Sequence, residues 1–334
     1  MNRVLKATVA ALAPAISFAD FAAAGPLEDG VSAAKNGDYA TAMRLWRPLA
    51  ERGEARAQSL VGDAFALGQG VPQDYAAAMN WYRMAADRGD AGAQSALGFM
   101  YDTGRGVPQD YATAMSWYRM AADQGDAGAQ TALGLMYDSG RGIPRDYAAA
   151  MTWYRKAADQ HNASAQSSLG FMYALGHGVR QDPAAAMAWY RKAADQGDTS
   201  AQTALGFMYY DGQGVPRDNV VAHMWFNLAA AGGNLVAARK RDAVEEKMTL
   251  VQIAEAQRLA REWRPTSTPR CTHVYKRRPR ALRHLKMYWL VTVAGNLQYG
   301  SRHCGSQRRA SVGGARSEYA ASQPAFFSTQ GSPG

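Results

Sequence analysis

The sequence predicts an all-α solenoid of 36-residue helix–turn–helix repeats, and three observations carry that prediction. The stretch Tyr75–Asp110 recurs nearly unchanged at 111–146, 147–182 and 183–218, with looser copies at about 39–74 and from Asn219 onward. Within each copy, apolar residues fall at helical spacing in two separate runs. Glycines close both runs, and Val107-Pro108 imposes an extended link before the next Asp-Tyr pair.

The first run places Tyr75, Ala78, Met79, Tyr82, Ala85 and Ala86 on one helical face. Asp74 stands where an N-cap belongs, and Gly89 where a left-handed residue ends the helix. Asp90 then caps a second helix over Ala91–Thr103, with Ala93, Leu97, Met100 and Tyr101 as its apolar face. Gly104 and Gly106 stop it.

One hairpin cannot cover these faces alone. Trp81 and its copies Trp117, Trp153, Trp189 and Trp225 flank the core face, where a neighbouring hairpin must bury them. An indole buries roughly 150–250 Å², worth several kcal/mol. Gly98, Gly134, Gly170 and Gly206 lie inside the second helices, each at a cost of about 1 kcal/mol relative to alanine. A cost repeated at one register implies that another helix comes close there.

The pattern A-M-x-W-Y-R-x-A-A-D-x-G-D-A-x-A-Q-x-x-L-G-x-M-Y-x-x-G-x-G-V-P-x-D resembles the Sel-one-like repeat family, a cousin of the tetratricopeptide repeats. The resemblance covers Gly37 to Trp263. It implies a right-handed α-solenoid that serves as a protein-binding scaffold, often in bacterial envelope or signalling systems. Some members stitch each hairpin with a disulfide; this chain has no cysteine within its repeats.

Taken in order, residues 1–24 read as an export signal. Arg3 and Lys6 precede the apolar run Ala7–Phe18, and cleavage is expected near Ala19 or Ala24. The mature protein is then periplasmic or secreted. The repeat domain is expected over 37–263. Its first copy is atypical: Trp46 sits one position later than the other tryptophans, and Pro48 should kink or break the first helix. In a later copy His161 replaces the turn glycine, and the adjacent Asn162 is the residue suited to the left-handed conformation. His161, His177 and His223 do not recur in register and read as surface decoration. The expected fold is five hairpins, a sixth first helix and a capping helix. Thr249-x-x-Gln252 opens that last helix as a capping box, and Ile253, Ala256, Leu259, Ala260 and Trp263 form its apolar face.

Residues 264–334 are different in kind. They hold twelve of the 37 Lys/Arg and one of the 28 Asp/Glu, a net +11, so the rest of the chain is −2. The basic balance belongs to this tail, and the repeats are not a nucleic-acid-seeking protein. Low order is expected there, and the abrupt break fits a shifted reading frame. Lys276–Lys286 reads as a solvated basic run. Cys271, His273, His303 and Cys304 are too closely spaced for the usual zinc pairs. No nucleophile–base arrangement, phosphate-binding loop or paired carboxylates stand in a recognisable context. The sequence therefore points to no metal, no cofactor and no catalysis. A cell-wall hydrolase built on a repeat scaffold is the alternative function.

Positions that vary between copies point to the working surface, because the core makes the same demand of each. Asn80, Ser116, Thr152 and Ala188 share one such position, and Met84, Met120, Lys156 and Lys192 share another. Arg83, Arg119, Arg155 and Arg191 flank them, with Asp87, Asp123, Asp159 and Asp195. The resemblance implies that the first helices line a concave groove. The expectation is that this ladder binds a polypeptide partner, an envelope protein or a sensor domain, with apolar anchors at Met84 and Met120 and acidic groups at Lys156 and Lys192. The competing reading is a solvated face with Arg/Asp pairs at i, i+4, worth tenths of a kcal/mol each.

Overall fold

The structure, a computed structural model, describes residues 25–264, and these lie within one compact unit. Every regular element among them is helical. Helix α1 (Pro26–Lys35) leads into α2 (Tyr39–Glu51) and α3 (Ala55–Leu67), then α4 (Tyr75–Ala86) and α5 (Ala91–Thr103). The strong copies continue with α6 (Tyr111–Asp123), α7 (Ala127–Ser139), α8 (Tyr147–Asp159), α9 (Ala163–Leu175), α10 (Pro183–Ala194) and α11 (Thr199–Asp211). The chain then forms α12 (Asn219–Ala231), α13 (Leu235–Glu245) and α14 (Leu250–Glu262). Each helix packs mainly on its neighbours in sequence, which is the solenoid expected.

The caps are those the repeat encodes. Asp74 accepts from the backbone N–H groups of Ala76 and Ala77, both at 2.9 Å, and Asp90 accepts from that of Ala93 at 2.7 Å. Each such cap is worth about 1 kcal/mol. The fourth copy corrects the sequence reading. His161 itself takes the left-handed conformation, at φ 62°, while Asn162 is extended and caps α9 by accepting from Ala165 N–H at 3.0 Å. The left-handed residue must precede the cap, so the imidazole-bearing residue accepts the strain and Asn162 is needed elsewhere.

The repeated tryptophans and glycines do what their register implies. Trp117 packs on the core of α4 and α5, Trp153 on that of α6 and α7, and Trp225 on that of α10 and α11. Each indole thus covers the preceding hairpin. At Gly134 a Cβ would stand 2.5 Å from the Tyr154 ring, and at Gly98 2.6 Å from that of Tyr118. The ring of each following first helix lies flat on a backbone that has no side chain to displace it.

A second row of joints was not anticipated. Gln130 is buried; its Nε2 donates to Ala122 O at 3.1 Å and its Oε1 accepts from Gln160 Nε2 at 2.9 Å. Gln94 with Gln124, and Gln166 with Gln196, repeat the joint at 2.7 and 2.8 Å. One side chain thereby ties three helices together, at a net gain of about 1 kcal/mol per bond. In the second copy Arg88 stands where the later glutamines do, and Gln58 Oε1 of the first copy is buried without a partner.

The ends depart from expectation in three ways. The fold begins earlier than Gly37: α1 packs on α2, and Trp46 Nε1 donates to Leu27 O at 3.2 Å, so the displaced indole closes the first core. Helix α2 runs through Pro48 to Glu51 without a break, although the proline cannot donate to the Arg44 carbonyl. The sixth copy is a complete hairpin, since α13 packs on α12. There His223 is buried in the core with Nε2 3.1 Å from Glu245 Oε2; it is no surface residue. The closing helix is as expected. Both capping-box bonds of Thr249 and Gln252 form, and Trp263 meets Trp225 edge-on at 5.9 Å. The expected signal over 1–24, and all of the tail beyond Arg264 with its cysteines, lie outside the described residues.

Candidate partner-binding surface

The ladder positions belong to α4, α6, α8 and α10, and all sixteen residues are exposed except Asp195. Met84 and Met120 are 40% and 42% exposed, unusual for a thioether that the core does not use. Ser116 and Thr152 turn their hydroxyls back to the carbonyls of Ala112 and Ala148, both at 3.0 Å.

The arginines are engaged within the solenoid, in two alternating ways. Arg83 donates to Tyr101 Oη and Arg155 to Tyr173 Oη, each at 2.9 Å. Arg119 and Arg191 instead pair with Asp123 at 3.0 Å and Asp195 at 3.4 Å. They also lie over the next copy's indoles, 5.0 Å from Trp153 and 4.9 Å from Trp225. Lys156 and Lys192 rest on indoles of their own helices, 4.1 Å from Trp153 and 4.0 Å from Trp189. Such contacts are worth roughly 0.5–1 kcal/mol at exposed sites. The charged part of the ladder therefore stiffens the stack, and the methionines are its outward apolar part.

The expectation of a concave layer made of first helices finds no counterpart in the packing. Contact between successive members is more extensive among α3, α5, α7, α9 and α11 than among the first helices. That second-helix layer carries features the sequence reading passed over. Asp63 of α3 accepts from Tyr82 Oη at 2.7 Å. Burial pushes its carboxyl up to about 6, against the pull of the Tyr82 bond; Asp90 adds a smaller push upward and Arg56 a smaller pull downward. A carboxyl whose folded pKa is raised favours the fold when protonated. Its contribution is full below the unfolded value near 4 and is lost as pH rises through about 6. Asp63→Asn, which keeps an acceptor for Tyr82, should remove on the order of 2 kcal/mol of the stability difference between pH 4.5 and 7.5. Urea midpoints of both proteins at both pH values measure it; parallel pH slopes would refute the assignment.

Among the described residues, no group of three His, Cys, Asp or Glu is placed to hold a metal ion, and no helix is long and apolar enough to cross a membrane.

Comparison with known families decides the lineage. The model of the Sel1 repeat matches five consecutive units, 55–90, 91–126, 127–162, 163–198 and 199–234. The chain belongs to the Sel1 repeat family. The family's unit starts at the second helix of each copy, so it pairs α3 with α4 and α5 with α6, the hairpins with the more extensive contact. A protective antigen of uropathogenic Escherichia coli strains, c5321, which displays an SLR fold, is 37% identical over 71% of this chain, with a TM-score of 0.58. The present chain covers 53% of that antigen, about half its length. A Sel1 repeat protein from Oxalobacter formigenes is 29% identical, with a TM-score of 0.62, over 74% of this chain and 100% of its own. A search of curated proteins gives no match.

Proposed function

We propose that this Sel1 repeat solenoid is a non-catalytic scaffold of the bacterial envelope that binds a polypeptide partner, with the ladder on α4, α6, α8 and α10 as its surface. The observation that carries the reading is the pair of in-register, solvent-facing methionines, Met84 and Met120, on a backbone whose core positions are nearly the same in the four strong copies. An adaptable thioether suits a surface that a partner covers, and Lys156 and Lys192 continue the row with charge. The envelope location rests on the export signal expected over 1–24; N-terminal sequencing of the mature protein should begin near residue 20 or 25, and an intact Met1 would refute it.

The variant Met84→Asp/Met120→Asp/Lys156→Glu/Lys192→Glu should fold normally, because each site is exposed. In a crosslinking pull-down from envelope extract it should lose a stoichiometric partner that the wild type retains. A folded variant that keeps every partner would overturn the surface. Turnover of a cell-wall substrate by the purified chain would overturn the scaffold reading.

A further inference from the structure

The ladder does not stop at α10. One copy further on, α12 carries Met224 and Leu228 at the positions of Asn80 and Met84, with Trp225 at that of Trp81. On α12 this face is covered, and the chain itself supplies the cover. Helix α14 packs on α12, and its Leu259, Ala260 and Trp263 lie against the core that Met224 and Trp225 close, with Leu228 beside them. The Trp263 and Trp225 rings meet edge-on at 5.9 Å. Met224 is 8% exposed and Trp225 is fully buried. On α4 and α6, by contrast, Met84 and Met120 are exposed, and Trp81 and Trp117 are only half-buried. One face of the repeat therefore occurs both with an amphipathic helix seated on it and without one.

The copies between are closed in another way. Lys156 and Lys192 hold the Met84 position on α8 and α10, where they lie across the Trp153 and Trp189 rings of their own helices at 4.1 and 4.0 Å. Such a lysine covers its indole, and an apolar helix arriving there would have to strip water from the ammonium. A methionine does neither, because its unbranched thioether adapts to whatever side chain arrives. The seat is thus open on α4 and α6. Asn80 and Ser116 stand there in place of Met224, so it is less apolar than the one under α14 and suits a partner that comes and goes.

We infer that α4 and α6 dock an amphipathic α-helix of a partner protein, on Trp81 with Met84 and on Trp117 with Met120, in the way α12 holds α14. The visiting helix presents a leucine, a small residue and an aromatic along one face, at the spacing of Leu259, Ala260 and Trp263. The inference rests on the scaffold reading above and adds the form of the partner, a helix rather than an extended segment.

The probe is a fluorescein-labelled peptide with the sequence of residues 249–264, which retains the capping box that starts the helix; the protein is the full chain. Wild type should bind it by fluorescence anisotropy. Met84→Lys/Met120→Lys, which installs the side chain α8 and α10 carry naturally, should fold normally by circular dichroism and weaken binding at least about tenfold. Met84→Leu/Met120→Leu, matching Leu228 beneath α14, should bind as wild type. A peptide with Ala256→Pro, which breaks the helix and leaves its other apolar residues in place, should bind at least about tenfold more weakly. The inference is overturned if wild type does not bind the peptide, or if the proline peptide binds as tightly. Unchanged affinity of Met84→Lys/Met120→Lys would also overturn it, since the peptide would then only be exchanging with the chain's own α14. A dimer in sedimentation that Met84→Lys/Met120→Lys dissolves would give the seats to a second copy and overturn the partner assignment. If Met84→Asp/Met120→Asp/Lys156→Glu/Lys192→Glu loses an envelope partner while wild type ignores the peptide, the surface reading stands and the helix falls.

Discussion

Gly134→Ala is expected to destabilise the solenoid by about 2 kcal/mol, although alanine is the better helix former by about 1 kcal/mol. Intrinsic propensity and packing oppose each other here, and distance decides between them. The new Cβ would stand 2.5 Å from Cδ1 and 2.6 Å from Cε1 of Tyr154. Tyr154 is almost fully buried, and its own helix is tied back through Ala158 O to Gln166. The ring cannot slide away without opening that joint, so α8 must lift from α7. The check is a double-mutant cycle in urea with Tyr154→Leu, a side chain that leaves more room over the glycine. The cost of Gly134→Ala should fall by at least about 1 kcal/mol in that background. A higher unfolding midpoint for Gly134→Ala in the wild-type background would mean that the close approach does not hold the stack together.

Most of this fold was legible because each copy answers the same demands. Asp74, Gly89, Asp90 and Gly104 punctuate the helices as their chemistry dictates, and the interior glycines announced the approach that Tyr118 and Tyr154 make. What escaped was whatever depends on a partner 22 or 30 residues away in the chain. Gln130 reads as an ordinary polar residue on a helix; only the fold brings Gln160 to its Oε1. His223 occupies a position that is methionine in the five copies before it, yet it is buried, with Glu245 beside its Nε2. Of the candidate surface, exposure was legible. Variation between copies pointed to Met84 and Met120, and both are exposed. Periodicity assigns faces to single helices and does not tell which layer of a stack closes up.

Removing residues 127–162, one whole family unit, should leave a shorter solenoid that unfolds cooperatively, with unchanged helicity per residue. The junction it creates repeats one already present. Asp126, which caps α7 through Ala129 N–H at 2.6 Å, would precede α9 and meet Ala165 N–H in the way Asn162 does at 3.0 Å. Gln166 would find Ala122 O where it now finds Ala158 O, and its Oε1 would still receive Gln196. Tyr118 keeps Gly98 and Tyr190 keeps Gly170, so no ring is left without its backbone seat. Removing only 127–144 does the opposite. It takes away α7 with Gly134 and Gln130, and leaves α8 to face α6, another first helix, with Tyr154 and Trp153 uncovered. Each buried aromatic lost in this way costs about 3–5 kcal/mol, a large part of what a domain of this size holds. The half-unit deletion should therefore lose cooperative melting by circular dichroism and show red-shifted tryptophan emission, while the whole-unit deletion retains both wild-type signatures. Equal behaviour of the two deletions would mean that the copies fold as independent helices rather than as a stack of joints.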